Sequence, residues 1–303
     1  MAKIAVVTNT NKMDAKRVRD LRRSLANAGL DDVRWVEIAH GSDAKAATAK
    51  ALKRGAETIV VCGGDGTVRA AAEAVVGTST GLVVVPTGTA NLFAAGLELP
   101  TEIDDIVDLI ARRDHRRIDS AVCNGHAFNV MAGSGFDVGM LDGAEDSKER
   151  IGIFAYVRAA VHEARHRKMF ATKITIDGKR FYKGKTSLVL VGNVGALKGG
   201  VELFPGATAI DGRLHIAAVT ANGLRQWAAL LVAAVLRRPQ RSSHAEIGEG
   251  TSVVVTFKKK RLFELDGGVK GRTKRLEFSI RPRSLLVYAP TVYAPTNVPA
   301  STG

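Results

Sequence analysis

Cysteine is nearly missing: Cys62 and Cys123 are the only two in 303 residues. That excludes a disulfide scaffold and a cysteine-rich zinc module, and it fits a reducing compartment. Aromatic residues are few, at 5%, so a stacking platform for single-stranded nucleic acid is poorly supplied. No apolar run approaches the roughly 18 residues that a membrane span needs; the longest candidate, Trp227 to Leu236, is too short. The first ten residues carry one Lys and a short apolar run before Thr8, Asn9 and Thr10, and they read as a first strand rather than a signal peptide. Two nucleotide-loop signatures are also lacking, a G-x-x-x-x-G-K-[ST] string and a G-x-G-x-x-G after the first strand. Ser42, Ser134 and Ser187 have no G-x-S-x-G context, which removes support for a hydrolase triad. His162 and His166 stand at a metal-compatible i, i+4 spacing and are read as a solvated basic helix face.

Acidic residues are the minority, 30 against 44 basic ones, which gives a net charge of +14. Such a chain favours polyanions: nucleic acid, nucleotide phosphates or an anionic lipid surface. The basic residues are dispersed in short clusters such as Lys16–Arg23, Arg112–Arg117 and Lys270–Arg275, and part of that charge serves solubility alone. At roughly 150 residues per domain the length predicts about two domains.

Strand and helix patterns alternate over the first 120 residues. Apolar runs at Lys3–Thr8, Val33–Ile38, Thr58–Val61 and Gly81–Val85 predict buried strands. Between them, helical spacing predicts helices over Asp14–Ala28, Asp43–Arg54 (capped by Ser42 or Asp43) and Thr67–Val76, then Asn91–Gly96 and Glu102–Arg112. This grammar belongs to a parallel sheet covered on both faces. After Asp119 short β runs take over, among them Ser252–Lys258, Arg261–Leu265, Leu276–Ile280 and Leu285–Tyr288. Asp177-Gly178 marks a two-residue hairpin. Helices are expected near Gly152–Lys168 and Leu224–Arg237. The predicted organisation is an α/β domain over 1–122, a mostly antiparallel β domain over 123–283, and a mobile tail over 291–303.

Two loops carry the chemistry. Thr58–Val61 runs through Cys62 into Gly63-Gly64-Asp65-Gly66-Thr67 and then an Ala-rich helix. Glycines admit φ > 0 and let a phosphate approach without a Cβ in the way. Amides at the helix start, with the helix dipole, make an anion site. Thr67 either caps the helix or contacts a phosphate oxygen. Asp65 would repel a phosphate unless a metal ion sits between them or it takes a proton; the competing reading makes it a helix N-cap. The second loop, Pro86-Thr87-Gly88-Thr89-Ala90-Asn91, also joins a strand to a helix start. In a parallel sheet both loops emerge at the carboxyl edge, where ligands bind. There Thr89 offers a hydroxyl and Asn91 a cap or a nucleotide contact.

These two loops together resemble the diacylglycerol kinase catalytic domain family, bacterial lipid kinases in particular, with sphingosine and ceramide kinases as relatives. Phe128–Asp137, Val191-Gly192-Asn193, Leu203–Ala207 through Asp211-Gly212-Arg213-Leu214, and Leu265-Asp266-Gly267 extend the similarity over about residues 3–290. The resemblance implies an α/β plus β fold of the NAD-kinase and diacylglycerol-kinase kind, a doubly wound parallel sheet followed by an antiparallel β-sandwich. A C-terminal strand near 284–290 is expected to return to the first domain. It also implies ATP and Mg2+ in the cleft, with Asn9, Gly63, Gly64, Asp65, Gly66, Thr67, Gly88, Thr89 and Asn91 around the nucleotide. Asp65 and Asp119 would hold the metal, Asp119 through water. The implied activity is transfer of the γ-phosphate to a hydroxyl of diacylglycerol or a similar lipid.

Four departures bear on that activity. The family's Asn-Asp pair reads Asn91-Leu92. Gly206 stands where many relatives have Asp, leaving the backbone carbonyls of Leu203 and Thr208 as metal ligands. Asp266-Gly267-Gly268 replaces Asp-Gly-Glu, so the base role passes to Asp65 ahead of Asp266. The N-terminal Asn-Pro signature is altered, with Asn9 left to face the nucleotide. The alternative is therefore a degenerate, non-catalytic nucleotide- or lipid-binding member. An NAD kinase shares the Gly-Gly-Asp-Gly-Thr loop, but its Asn-Glu pair is missing here. The expected partners are a lipid substrate and an anionic membrane surface, with no nucleic acid; a homodimer is compatible with this, and the expected place is cytoplasmic and peripheral to a membrane.

Overall fold

The computed structural model describes residues 3–89, 91–135, 169–197, 201–236 and 242–290. Its first part alternates β1 (Ile4–Asn9), α1 (Ala15–Asn27), β2 (Val33–Ile38), α2 (Ala44–Lys53), β3 (Thr58–Gly63), α3 (Asp65–Val75) and β4 (Gly81–Pro86), followed by α4 (Leu92–Gly96) and α5 (Ile103–Arg112). The strands pair in parallel in the order β2-β1-β3-β4. Every residue of β1, β3 and β4 is buried, as continuous apolar strands between two helical layers must be. Alternate side chains choose opposite layers. Val6, Val60 and Val83 meet Leu21 and Leu25 of α1 and Ile106 and Ile110 of α5. Val7, Ile59, Val61 and Leu82 meet Ala51 of α2 and Val68, Ala71 and Val75 of α3. Each such aliphatic side chain, fully buried, contributes about 1.5–3 kcal/mol.

Two helix starts differ from expectation. A 3-10 turn over Gly41–Asp43 leads into α2, so Asp43 already has near-helical backbone angles and its side chain makes no capping bond. Helix α3 begins at Asp65 rather than Thr67, leaving Gly64 alone between strand and helix.

The second part comprises β5 (His115–Cys123), β6 (His126–Phe128), β7 (Met131–Ser134), β8 (Phe170–Ile176), β9 (Lys179–Thr186), β10 (Leu188–Gly192), β11 (Ala196–Leu197), β12 (Val201–Glu202), β13 (Leu214–Val219), α6 (Leu224–Val235), β14 (Ala245–Gly250), β15 (Ser252–Leu265) and β16 (Gly268–Tyr288). Its core includes the edge-to-face ring pairs Phe128–Phe278 and Phe170–Phe257. The Asp177-Gly178 hairpin forms with φ of 48° and 77°, and the Asp177 carboxylate accepts from Thr251 and Ser252.

Four expected strands are two. Irregular register between Thr256 and Arg261 lets β15 continue where a break was read, and one between Arg281 and Leu285 does the same for β16. Extra residues absorbed on one strand in this way bend it without ending it. β16 therefore spans both halves: it pairs antiparallel with β15 and β5, and its last residues pair in parallel with β4 (Leu286 opposite Gly81). One mixed sheet results, running β14-β13-β10-β7-β15-β16-β4-β3-β1-β2. The helix expected near 152–168 and the tail from 291 lie outside the described residues. Among the described residues no helix is long and apolar enough to cross a membrane.

Candidate functional site

The two glycine-bearing loops touch. A Cβ on Gly88 would lie 2.7 Å from Gly64 Cα, and one on Gly64 would lie 3.4 Å from Gly88 Cα. Side chains on both would force the loops apart, and this contact is the physical reason for a glycine in each. The Thr87 N–H donates to Gly63 O at 3.1 Å, a second tie between them. At the start of α3 the amides of Thr67 and Val68 both bond Gly64 O. The amides of Asp65 and Gly66 precede them, in the part of a helix where N–H groups have no intrahelical acceptor. Gly66 and Thr89 are exposed beside this corner. A cavity of about 640 Å3 opens on the α1–α5 side of the second loop, lined by Arg17, Thr87, Gly88, Asn91 and Thr101 among others.

Three side chains read as ligand-facing are instead occupied in building the loops. Asn9 and Thr67 are both buried. Asn9 Nδ2 donates to Thr67 Oγ1 at 3.3 Å, and its Oδ1 accepts from the Asn11 N–H at 3.1 Å. Thr67 is further enclosed by Gly63 and Gly41, where any Cβ would lie within 3 Å of its side chain. Asn91 adopts the left-handed conformation, with φ 48° and ψ 47°. Its side-chain amide accepts from the Gly88 N–H at 2.9 Å and donates to Gly88 O at 2.8 Å, closing the second loop on itself.

Asp65 is the carboxylate at the centre. Because Asn91 is turned to Gly88, Asp65 caps α4 from across the cleft: its Oδ1 accepts from the Phe93 N–H at 3.1 Å. Burial pushes its pKa up to about 6, with the Asp266 charge adding to the rise and the Phe93 amide opposing it. Asp266 stands in the same corner but is differently employed. Its Oδ1 accepts from the amides of Val130 and Met131 at 2.9 and 3.0 Å, and its Oδ2 from that of Asn129 at 2.9 Å. Burial raises its pKa despite these three donors. Asp266, expected to share the base role, has a structural task in this geometry: a buried acid holding three amides is a clamp on 129–131.

The metal expectation is also redrawn. Asp119 is fully buried, and its two oxygens accept from Gly212 and Arg283 amides, each at 2.7 Å. It thereby ties β5 to the 212 turn and to the bend in β16, contacts that the sequence did not show. Thr208 O accepts the Asp211 N–H at 3.4 Å while its own amide donates to Asp211 Oδ2, and Leu203 N–H donates to Gly195 O. Among the described residues no group of three His, Cys, Asp or Glu side chains converges to hold a metal ion. Magnesium, however, commonly takes one or two carboxylates together with substrate phosphates and waters. Asp65 fits that requirement alone.

Several site residues escaped the sequence reading. Asn193 is buried and donates to the carbonyls of Asp119 and Asn129, at 3.0 Å each; it lies on a matched motif, but its partners are 74 and 64 residues away. Arg69, one helical turn past Asp65, gave only its i+4 position as a signal. His162-Glu163-Ala164-Arg165-His166 does carry the His-Glu-x-x-His spacing, a point missing from its reading as a basic face; it lies outside the described residues.

Comparison with known proteins agrees with this architecture. Residues 3–123 match the model of the diacylglycerol kinase catalytic domain, and residues 130–289 match that of the YegS C-terminal NAD kinase beta sandwich-like domain. An uncharacterized protein of Synechocystis is 30% identical over 238 residues, 77% of this chain and 54% of its own length. A "Probable lipid kinase YegS-like" of Pectobacterium atrosepticum is 32% identical over 197 residues, 61% of this chain and 65% of its own length. The chain thus spans between half and two thirds of these curated relatives. The crystal structure of a diacylglycerol kinase from Bacillus anthracis superposes with a TM-score of 0.75 at 20% identity, covering 96% of this chain and 97% of that one. With both of its halves matched in order, the chain belongs to the family that joins a diacylglycerol kinase catalytic domain to a YegS-type β-sandwich.

Proposed function

We propose that the protein is an ATP-dependent lipid kinase that transfers a γ-phosphate to a hydroxyl of diacylglycerol or a similar lipid. The observation that carries this is the Gly64–Gly88 contact, which sets two strand-to-helix loops side by side at the carboxyl edge with Asp65 between them. The first-turn amides of α3 receive phosphate oxygens, helped by the helix dipole. Thr89 is exposed on the second loop, and a cavity of about 640 Å3, of nucleotide size, opens beside Gly88 between Arg17 and Arg23 on one hand and Asp20, Glu102 and Asp104 on the other. Mg2+ held by Asp65 would neutralise charge on the transferring phosphoryl group. In the metal-free chain burial holds the Asp65 carboxyl near 6, and the carboxylate oxygen not holding the cation would take the proton of the lipid hydroxyl. The rest of the rate comes from position and charge.

The lipid is met at an anionic surface. On α6, Leu224, Val232 and Leu236 are exposed at four-residue multiples, so they lie along one stripe. Trp227 and Leu230 pack inward. From Gly212 to Ala245 the sequence has no acidic residue, while Arg213, Arg225, Arg237, Arg238 and Arg241 fall within it. An apolar stripe on a segment whose sequence carries arginine and no acid suits the headgroup boundary of an anionic bilayer.

The test is transfer of labelled phosphate from ATP to lipids in mixed micelles. Transfer by the wild type and its loss in Asp65→Asn is the expected result. A second reading, a binding protein without turnover, draws on Gly268, which puts no carboxylate beside Asp266. ATP binding by calorimetry with no transfer to any hydroxyl lipid would replace the first reading with the second.

A further inference from the structure

One face of α3 carries Asp65, Arg69 and Glu73 at successive four-residue steps, and this helix packs on β16. Across from it, Lys270 lies two residues past Gly268 in β16, at an irregularity where the register against β15 shifts between Phe263 and Glu264. Arg69 reaches Gly268: its Nη2 lies 3.7 Å from where a Cβ on Gly268 would be. Its Nε is buried with no hydrogen-bond partner. Lys270 is half-buried, and it feels Arg69 and Lys45 as like charges against Glu73 and Asp266 as opposite ones.

Nearby acids are already committed. Glu73 pairs with Lys45 at 2.7 Å. Asp266 holds three backbone amides, and Asp65 caps α4. Among the described residues neither Arg69 nor Lys270 makes a hydrogen bond or an ion pair. Glu73 and Asp266 offset the charge of these two partly desolvated cations only at a distance, because their own hydrogen bonds go elsewhere, and the compensation is incomplete. A guanidinium and an ammonium converging on the small side of a glycine are suited to a phosphate, the guanidinium by its fork of donors and the ammonium as a point charge.

We propose that Arg69 and Lys270 form a subsite for a dianionic phosphate group, with Gly268 leaving the room. This deepens the kinase reading and rests on it for the identity of the ligand: either the γ-phosphate of ATP or the phosphate monoester of the lipid product. Both present the same chemistry, and they differ in which molecule carries it.

Calorimetric titration of the full chain with ATP, with ADP and with dihexanoyl phosphatidic acid separates the sources. Arg69→Gln and Lys270→Gln are each expected to weaken ATP or phosphatidic acid by about tenfold, while ADP affinity holds. Loss confined to ATP assigns the subsite to the γ-phosphate, and loss confined to phosphatidic acid assigns it to the product. Unchanged affinity for both ligands in both variants, with unaltered thermal melts, overturns the subsite while leaving the kinase reading intact. Equal weakening of ADP also overturns it, since ADP carries no γ-phosphate. A wild type that binds no ATP but binds phosphatidic acid through Arg69 and Lys270 overturns the kinase reading and keeps the subsite.

Discussion

Asp65 and Asp266 occupy the same corner, and the charge of Asp266 raises the proton affinity of Asp65, yet the two do different work. Asp266 receives three amides at 2.9–3.0 Å from one stretch of chain and is almost wholly buried. Asp65 receives the Phe93 amide at 3.1 Å, with the Leu92 and Asn91 amides also favouring its charged form, and it keeps a partial opening to solvent. The contrast extends through the second half. Asp119, Asp177 and Asp211 all accept from backbone amides of distant or turning segments. In this fold a carboxylate saturated with backbone donors fixes a junction. One that is incompletely saturated and poised near neutrality is free to exchange a proton or hold a cation.

The sharpest way to break that contrast is Asp65→Asn. It keeps an oxygen for the Phe93 amide and removes the proton acceptor, so transfer is expected to fall by about a thousandfold. The same substitution should not unfold the protein. The Asp65 carboxyl has a pKa near 6 when folded against 3.8 in the reference state. A raised folded value means stability that is complete below about pH 4 and is lost as pH rises through about 6. Ionising Asp65 therefore costs the fold up to about 3 kcal/mol. The stability of Asp65→Asn relative to the parent should grow between about pH 4 and 7, as read by denaturant midpoints. Activity of the parent should rise over the same interval, because the ionised form is the working one. A pH-independent stability difference would show that burial does not set the Asp65 proton affinity.

Asp266→Ala should do the reverse. Three buried amides lose their acceptor, and at about 1–3 kcal/mol for each one left unpaired the loss approaches the whole stability of a domain of this kind. The position also has φ 46°, which alanine adopts reluctantly. Asp266→Asn, which keeps one acceptor oxygen, should be milder and should retain most of its transfer activity at low temperature. If Asp266→Asn folded normally but lost transfer as completely as Asp65→Asn, the division between clamp and chemistry would be wrong. Gly88→Ala comes next. Its Cβ would stand 2.7 Å from Gly64 Cα, and relieving such an overlap costs about 1–3 kcal/mol. The loops would part, so ATP affinity should fall alongside the melting temperature.

What could be read from the sequence follows from range. Strand and helix order in the first half depends on local period, and Gly63–Thr67 marks its loop through residue types within a few positions. The class of the second half was legible from its short β runs and the Asp177-Gly178 turn. The clamps were not. Asp266 meets Asn129 across 137 residues, and Arg283 meets Asp119 across 164, distances over which spacing holds no information. The same limit misplaced Asn9, whose partner Thr67 lies 58 residues on. The bulged strands β15 and β16 were split for another reason: their charged middles, Lys258–Lys260 and Arg281–Arg283, look like loops when read for hydrophobic alternation alone.

Gly268→Glu is the smallest perturbation and bears on both sides of the comparison. A Cβ there would find Leu265 O at 3.4 Å and Arg69 Nη2 at 3.7 Å, ordinary contacts, and no left-handed backbone stands in the way. The new carboxylate would meet Arg69 in a partly exposed pair worth less than about 1 kcal/mol, so the melting temperature should hardly move. The chemical effect should be clearer. An acid on Arg69 neutralises the cation pair and places a second carboxylate beside Asp65, so Asp65 should hold its proton to higher pH. The rising limb of the activity profile should then shift upward from about 6. A limb that stays in place while the introduced carboxylate ionises normally would mean that Asp65 and the Gly268 corner do not sense each other, and the acid that governs turnover would have to be sought elsewhere in the cleft.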